Sequence, residues 1–301
     1  MEQERMDKAQ EIMQQVRRIE LQARRLATAT FAGQYRSGFR GQGLDFDDFR
    51  EYIPGDDPRF IDWKVTARTG VPYVRTFHEE REQVLLLAVD TSGSMTYASQ
   101  GVADTKREYA ARIAAVLAHS AALNSDKVGL LLFGTQPHFY LPPAKGMKQC
   151  QRIVREILSA PAEGKDDTMD DIANEILRTQ RKHAMVFLMS DFFNQADKRA
   201  VGKLNFRHEL VPVRINDPLE LALPDAGRVY LRDPEGGQLL EADLGDRAVR
   251  EAHARAVQTQ RGQWKNVFTQ LGVDMLDLTT TQDYIAPLRA LFARRSRLFV
   301  H

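Results

Sequence analysis

From Val84 onward, short apolar runs alternate along the chain with segments that have helical spacing. Runs of strand length lie at Val84–Asp90, Lys127–Phe133, Ala184–Ser190, Arg207–Val213 and Val273–Leu278, with a short partner strand at His138–Leu141. Helical spacing occurs at Lys106–Leu123, Gly146–Leu158, Thr168–Arg178, Arg247–Gln270 and Asp283–Arg295. Strands that alternate with helices pair in parallel, and right-handed crossovers place the helices on both faces. The pattern therefore predicts an α/β fold with a doubly wound, mostly parallel sheet.

The first eighty residues follow a different pattern. Apolar residues recur on one face of a predicted helix over residues 1–30, at Ile12, Val16, Ile19, Ala23 and Leu26. We expect this helix to pack on its own domain and not on a partner. Residues 33–80 are rich in glycine, turn residues and aromatic residues, which predicts an irregular segment. We therefore predict an extension over residues 1–80 that packs on a core domain over residues 81–301.

An insertion interrupts the α/β alternation at residues 214–245. Two turn signals, Asp217-Pro218 and Asp233-Pro-Glu-Gly-Gly237, flank short apolar pieces at Val229–Leu231 and Gln238–Leu240. Two short apolar pieces separated by a glycine-containing turn are typical of a β-hairpin. The sequence therefore predicts a hairpin inserted before the last helices of the domain.

Composition excludes several classes of protein. Lys plus Arg number 42 and Asp plus Glu number 41, so the net charge is +1 and a strongly basic nucleic-acid surface is not expected. The single cysteine, Cys150, excludes an internal disulfide framework and fits a reducing compartment. The apolar runs are far shorter than the roughly 20 residues of a membrane-spanning helix, and the polar N-terminus does not resemble a secretory signal. We expect a cytoplasmic protein without an integral membrane segment or a nucleic-acid partner.

Oxygen-bearing side chains follow two of the predicted strands. Asp90 ends one strand and begins the loop Asp90-Thr-Ser92-Gly93-Ser94, and Asp191 directly follows another strand. Ligands of open parallel sheets bind at the carboxyl ends of the strands. Carboxylate and hydroxyl oxygens are hard ligands that suit Mg²⁺ or Mn²⁺, and Gly93 lets the loop turn tightly. These residues are candidate metal ligands, although singly each could also cap a helix or shape a turn.

This loop resembles the metal-ion-dependent adhesion site of von Willebrand factor A domains. In that family a threonine from a later loop and an aspartate after a later strand join the Asp-x-Ser-x-Ser motif, and Thr168 and Asp191 match those positions. The resemblance implies a von Willebrand A-like fold and a metal site built from Asp90, Ser92, Ser94, Thr168 and Asp191. Thr168 could instead be a helix cap, because Asp171 stands three positions later as in a capping box.

A second resemblance covers nearly all the chain from about residue 35. The segments Arg36-Ser-Gly-Phe-Arg-Gly-Gln-Gly43, Arg50-Glu-Tyr-Ile-Pro-Gly-Asp-Asp57, Ile61-Asp-Trp-Lys64 and Asn216-Asp-Pro-Leu-Glu220 are similar to a bacterial von Willebrand A-like family, catalogued as domain-of-unknown-function family fifty-eight. Such proteins are often encoded beside MoxR-type AAA+ ATPases. The resemblance therefore implies a protein partner, either such an ATPase or its client, and not a reaction.

These observations predict an Mg²⁺-dependent protein-interaction module, such as an adaptor or co-chaperone of a MoxR-type AAA+ ATPase. No general base stands beside the candidate metal ligands in the sequence, so we do not expect an enzyme. Two alternatives are a metal-dependent phosphate-processing enzyme that uses Asp90 and a scaffold whose metal site is vestigial. A second possible partner surface lies in the extension, at Asp56, Asp57, Arg59, Asp62 and Arg68.

Overall fold

A six-stranded sheet forms the centre of the computed structural model, which describes residues 2–31, 44–79, 83–134, 138–161, 167–233 and 237–298. The strands are β1 (Leu44–Glu51), β2 (Tyr73–Glu79), β3 (Val84–Asp90), β4 (Lys127–Phe133), β5 (Phe139–Ala144), β6 (Met185–Ser190), β7 (Glu209–Asn216), β8 (Arg228–Arg232), β9 (Leu239–Asp243) and β10 (Leu276–Thr279). The helices are α1 (Glu2–Leu26), α2 (Trp63–Thr69), α3 (Lys106–Leu123), α4 (Met147–Ser159), α5 (Met169–Thr179), α6 (Lys198–Arg207), α7 (Pro218–Leu221), α8 (Arg247–Gln270) and α9 (Ile285–Leu298). The sheet order is β10-β7-β6-β3-β4-β5, and only β5 runs antiparallel to its neighbour among these strands.

Both faces of the central sheet are covered by helices. Side chains of a strand point alternately to opposite faces, so Leu85 and Leu87 of β3 lie on one face and Leu86 and Ala88 on the other. The first face packs against α1, α3, α4 and α9, and the second against α5, α6 and α8. The prediction of a doubly wound, mostly parallel sheet with helices on both faces is confirmed.

Helix α1 belongs to the first of these layers. Val16, Ile19 and Ala23 are buried in the same apolar cluster as α3 and α4, and Ile12 and Leu26 lie partly buried against it. The spacing of these residues explains why one stripe of the helix faces the domain. Helix α1 ends in a π-helical turn at Ala27–Phe31.

The two edges of the sheet differ in construction. On one side β5 pairs antiparallel with β4 and carries Pro142 and Pro143, with an irregular register opposite Gly129. On the other side β10 has only four residues and pairs with the end of β7.

The described part of the extension forms a small unit in which β1 and β2 pair antiparallel. Asp62 is buried and caps α2 by accepting hydrogen bonds from the backbone of Lys64 and Val65 at 2.9 and 3.1 Å. The carboxylate of Asp62 therefore caps α2, and because it is buried it is not accessible to a partner. Packing of this unit on the core stays a prediction, and segment 36–43, which carries part of the family resemblance, lies outside the described residues.

The other residues of the predicted partner surface are accessible. Asp56 pairs with Arg50 at 2.6 Å, and Asp57 pairs with Arg59 at 2.6 Å. Arg68 is exposed in the last turn of α2. The side chains of Asp56 and Asp57 are 19% and 34% exposed, and a role of these charges in partner binding stays a prediction.

The insertion contains the predicted hairpin. Strands β8 and β9 pair antiparallel, with Leu231 opposite Leu240, and both of these leucines are exposed. Helix α7 precedes the hairpin, and α8 follows it with only Trp264 and Phe268 fully buried along its length.

A buried histidine just before β7 predicts that the protein loses stability as the pH falls. His208 is 1% exposed, and neither ring nitrogen has a hydrogen-bond partner within the described residues. Burial, together with the nearby charges of His183 and Arg207, lowers the pKa of His208 to about 4. Because the unfolded chain binds this proton near pH 6.5, stability is full above that pH and is lost as the pH falls toward 4.

We expect this residue to remove about 2 kcal/mol of stability between pH 7.5 and pH 5. Urea unfolding of the wild type and of His208→Leu at both pH values measures the effect. The loss on acidification should be about 2 kcal/mol smaller in the variant. An equal loss in the two proteins would show that His208 is not the acid-sensitive group.

Candidate functional site

Two buried carboxylates meet at the carboxyl ends of β3 and β6. These strands are parallel neighbours, with Val89 opposite Met189. Asp90 directly follows Val89, and Asp191 lies two residues after Met189. The two aspartates are 7% and 8% exposed. The convergence follows from the topology, because the ends of adjacent parallel strands lie at one edge of the sheet.

The loop after β3 is organised by hydrogen bonds to Asp90. One carboxylate oxygen of Asp90, Oδ1, accepts a bond from the backbone N–H of Ser92 at 2.9 Å. The other, Oδ2, accepts a bond from the hydroxyl of Ser190 at 2.7 Å. A 3₁₀ turn over Gly93–Thr96 then brings the hydroxyls of Ser92 and Ser94 within 3.2 Å of each other. Three of the predicted ligands therefore share one buried loop.

Asp191 connects this loop to α3. Its Oδ2 accepts hydrogen bonds from the hydroxyl of Ser94 at 2.7 Å and from Nζ of Lys106 at 2.7 Å. The backbone N–H of Phe193 bonds to Oδ1 at 3.2 Å. Lys106 Nζ also donates to the carboxylate of Glu220 in α7. The structure thus joins Asp90, Ser92, Ser94 and Asp191 in one network and adds Lys106 and Glu220, which sequence reasoning missed.

The charge of Asp191 disfavours the charged form of Asp90 at this edge. Burial raises the pKa of Asp90, and the negative charge of Asp191 raises it further. Burial alone would lower the pKa of Lys106, but its ion pairs with Asp191 and Glu220 raise it instead. Lys106 is therefore a cation at neutral pH and offsets part of the negative charge. A further cation at this edge would offset more of it.

A narrow polar cavity opens beside the two aspartates. It is about the size of a single water molecule or ion and is lined by Asp90, Phe133, Gly134, Asp167, Ile172, Ser190, Asp191, Phe193 and Asn194. Asp167 is buried and accepts hydrogen bonds from the backbone of Gly134 at 2.7 Å and from His138 Nε2 at 2.7 Å. Asp167 was not predicted as a site residue. The signal that could have identified it is its position one residue before Thr168.

Gly134 closes the cavity from the end of β4. It has φ +85°, and an added Cβ would lie 2.7 Å from Asp90 Oδ1 and 2.8 Å from the backbone nitrogen of Ser92. Both the left-handed backbone and the close approach require glycine. Gly134 is therefore part of the site, because its lack of a side chain leaves room for the Asp90 loop.

Thr168 is placed differently from the other predicted ligands. It is exposed and is the N-cap of α5, where its hydroxyl donates to Asp171 at 2.5 Å and accepts from the Asp171 backbone at 3.2 Å. The structure therefore shows the capping box, which was the alternative to a metal-binding role. A metal-binding role for Thr168 stays a prediction.

The donor set of the site fits a hard divalent cation. Within the described residues, no group of three or more His, Cys, Asp or Glu side chains is arranged to hold a metal ion. The predicted ligands that the structure brings together are two carboxylates and two serine hydroxyls, and Mg²⁺ commonly binds through one or two carboxylates while keeping several waters. Such a set can hold an ion only weakly and leaves positions for water or another ligand.

Comparison with known protein families shows which family this chain belongs to. Residues 48–263 match the family described as "Protein of unknown function DUF58". The chain belongs to the DUF58 family. This DUF58 protein is 29% identical over 286 residues to uncharacterized proteins of Mycobacterium tuberculosis and Mycobacterium bovis, and the match covers 94% of this chain and 89% of each relative.

Solved structures of similar fold share little sequence with the DUF58 chain. BatB from Bacteroides thetaiotaomicron has a TM-score of 0.47 and 15% identity, covering 71% of this chain and 99% of that chain. The VWA domain of SpRpn10 has a TM-score of 0.40 and 9% identity, covering 69% of this chain and 93% of that chain. None of the helices in the described part of the chain combines the length and apolar character that crossing a bilayer requires.

Proposed function

We propose that this DUF58 protein is a divalent-metal-dependent protein-binding module whose ligand edge is formed by the loops after β3 and β6. One observation carries the proposal: Asp90, Ser92, Ser94 and Asp191 form a single hydrogen-bonded network beside a polar cavity. This edge is where open α/β sheets bind ligands.

The chain's own residues would hold the ion in distinct ways. Asp90 and Asp191 supply formal charge, and Ser92 and Ser94 supply neutral oxygen atoms. Thr168 would join them only if its hydroxyl turned away from Asp171. When bound, Mg²⁺ or Mn²⁺ supplies positive charge and exchangeable coordination positions, one of which an acidic side chain of a partner would fill.

The partner that we propose is a MoxR-type AAA+ ATPase or its client, met in the cytoplasm. This assignment rests on the family resemblance. Protein binding is favoured over the enzymatic alternative because that resemblance implies a protein partner and not a reaction.

The metal site is tested by calorimetry on the full chain. We expect weak Mn²⁺ binding by the wild type and at least about tenfold weaker binding by Asp90→Asn, because this change removes a full charge and nearly preserves shape. Ser120→Ala is the matched control for a Ser92→Ala variant, since Ser120 is also buried and its hydroxyl donates to the backbone oxygen of Val116 in its own helix. Equal binding by the wild type and an Asp90→Ala, Asp191→Ala double variant would contradict the assignment.

Partner binding is tested with a purified MoxR-type ATPase. EDTA and Ser92→Ala should each abolish capture of the ATPase, whereas Ser120→Ala should leave it unchanged. EDTA should add little to the defect of Asp90→Asn, because both treatments remove the same ion. Capture that persists through EDTA and Asp90→Asn would place the interface elsewhere, with the exposed charges of Asp56, Asp57 and Arg59 as the next surface to test. Turnover of a phosphate ester that depends on Mg²⁺ and Asp90 would favour the enzymatic alternative.

A further inference from the structure

We propose that Lys106 is an internal cation that competes with the divalent ion for Asp191 and thereby sets the metal affinity of the site. The inference rests on the proposed function, since it concerns the same cation position. It assigns a role to a residue outside the Asp-x-Ser-x-Ser loop and links that loop to the insertion through Glu220.

Lys106 is held between two acidic groups in the interior. It is 0% exposed although it is the first residue of α3, where a lysine would ordinarily reach solvent. Its Nζ donates to Asp191 Oδ2 at 2.7 Å and to Glu220, and it lies 5.3 Å from the centre of the Phe193 ring. A lysine is almost never fully buried unless it is paired, so these partners account for its position.

The ammonium group of Lys106 bonds to one of the two Asp191 oxygens that could hold a metal ion. Asp191 Oδ2 already accepts hydrogen bonds from Ser94 and Lys106, while Oδ1 accepts one from the Phe193 backbone. A divalent ion at Asp191 must therefore share the carboxylate with a positive charge or displace it. Both arrangements weaken metal binding, because like charges repel strongly where water is excluded.

Glu220 determines how strongly Lys106 opposes the ion. When Glu220 is ionised, it draws part of the ammonium's charge away from Asp191, and it gives Nζ an alternative partner if the ion takes Asp191. Glu220 closes the capping box of α7, and the Asp217 carboxylate of the same box accepts a bond from the Ser99 backbone at 2.8 Å. The start of the insertion is therefore attached at two points, through Glu220 to Lys106 and through Asp217 to Ser99.

The proposal predicts opposite effects for two substitutions. Lys106→Met shortens the side chain by one atom and removes the competing charge, so Mn²⁺ should bind at least about tenfold tighter. Glu220→Gln removes the negative charge that Lys106 shares with Asp191, so Mn²⁺ should bind several-fold more weakly. Lys203→Met, which removes the half-buried partner of Asp170 at 2.7 Å, is the matched control and should not change affinity.

Electron paramagnetic resonance of free Mn²⁺ measures these affinities on the full chain. Lys106→Met leaves the buried Asp191 and the partly buried Glu220 without their cation, so it should melt at lower temperature without metal, and Mn²⁺ should raise its melting temperature more than that of the wild type. If Lys106→Met does not fold, Glu220→Gln decides: weaker binding supports the proposal, and unchanged or tighter binding overturns it.

The remaining outcomes separate the inference from the proposed function. If the wild type binds Mn²⁺ in an Asp90-dependent manner and Lys106→Met binds it equally, the competition is overturned and the metal site stands. If Asp90→Asn binds Mn²⁺ as well as the wild type, the proposed site fails. If neither the wild type nor Lys106→Met binds Mn²⁺, both proposals fail.

Discussion

Replacing Trp264 with alanine is expected to lower the free energy of unfolding by about 3–5 kcal/mol. Trp264 has no exposed surface, and its ring lies 5.0 Å from that of Phe192 and 5.3 Å from that of Phe268. Its indole N–H donates to the backbone oxygen of Asn194 at 3.1 Å. The substitution therefore removes a large apolar side chain, leaves a cavity and leaves the carbonyl of Asn194, a residue that lines the polar cavity, without its indole donor.

The second tryptophan of the chain provides the control for this measurement. Trp63 is 69% exposed at the start of α2, so Trp63→Ala should change stability by less than about 0.5 kcal/mol. Urea unfolding of both variants, followed by far-ultraviolet circular dichroism, gives the two values. Similar values for the two variants would contradict the packing of α8 against the Phe192 loop.

Substituting alanine for Gly134 is expected to destabilise the protein by about 2–4 kcal/mol and to weaken metal binding. The new methyl group would lie 2.7 Å from a carboxylate oxygen of Asp90 and 3.0 Å from Cβ of Ser92. Alanine would also be strained at φ +85°. Because the clash falls on the Asp90 loop, the disturbance should reach the residues that we propose as metal ligands.

Gly70→Ala is the control that measures backbone strain without a steric clash. Its φ is +75°, and an added Cβ would meet no atom within 4 Å, so Gly70→Ala should lose only about 1 kcal/mol through strain. Unfolding in urea and Mn²⁺ titration compare the two variants. An equal loss of stability for Gly134→Ala and Gly70→Ala would mean that the loop relaxes around the added methyl group.

The strongest sequence signals for the fold were the continuous apolar runs. The bounds of β3 and β4 agree with the predicted runs, because a strand buried on both faces has no polar positions along it. Helix α6 was missed, since its buried residues Ala200, Val201 and Leu204 form too short a stripe. Strand β1 was also missed, because its acidic residues interrupt any apolar alternation.

The site was predictable only where residues follow strand ends. Asp90 and Asp191 could be brought together from the sequence, since both come after strands expected to be parallel. Lys106 and Glu220 are 114 residues apart, and no spacing rule relates them. Their contact depends on how the insertion folds back over the sheet edge, which is a tertiary property that local patterns do not contain.

The construction of β5 and β10 has a consequence for self-association. A sheet with exposed edges can recruit strands from other molecules, which is a route to fibrils. Pro142 and Pro143 lack the N–H groups that an incoming strand would need, so β5 cannot offer a complete ladder. The four residues of β10 present too short a template at the opposite end. The apolar strands of the central sheet are therefore shielded from intermolecular β-pairing at both sides.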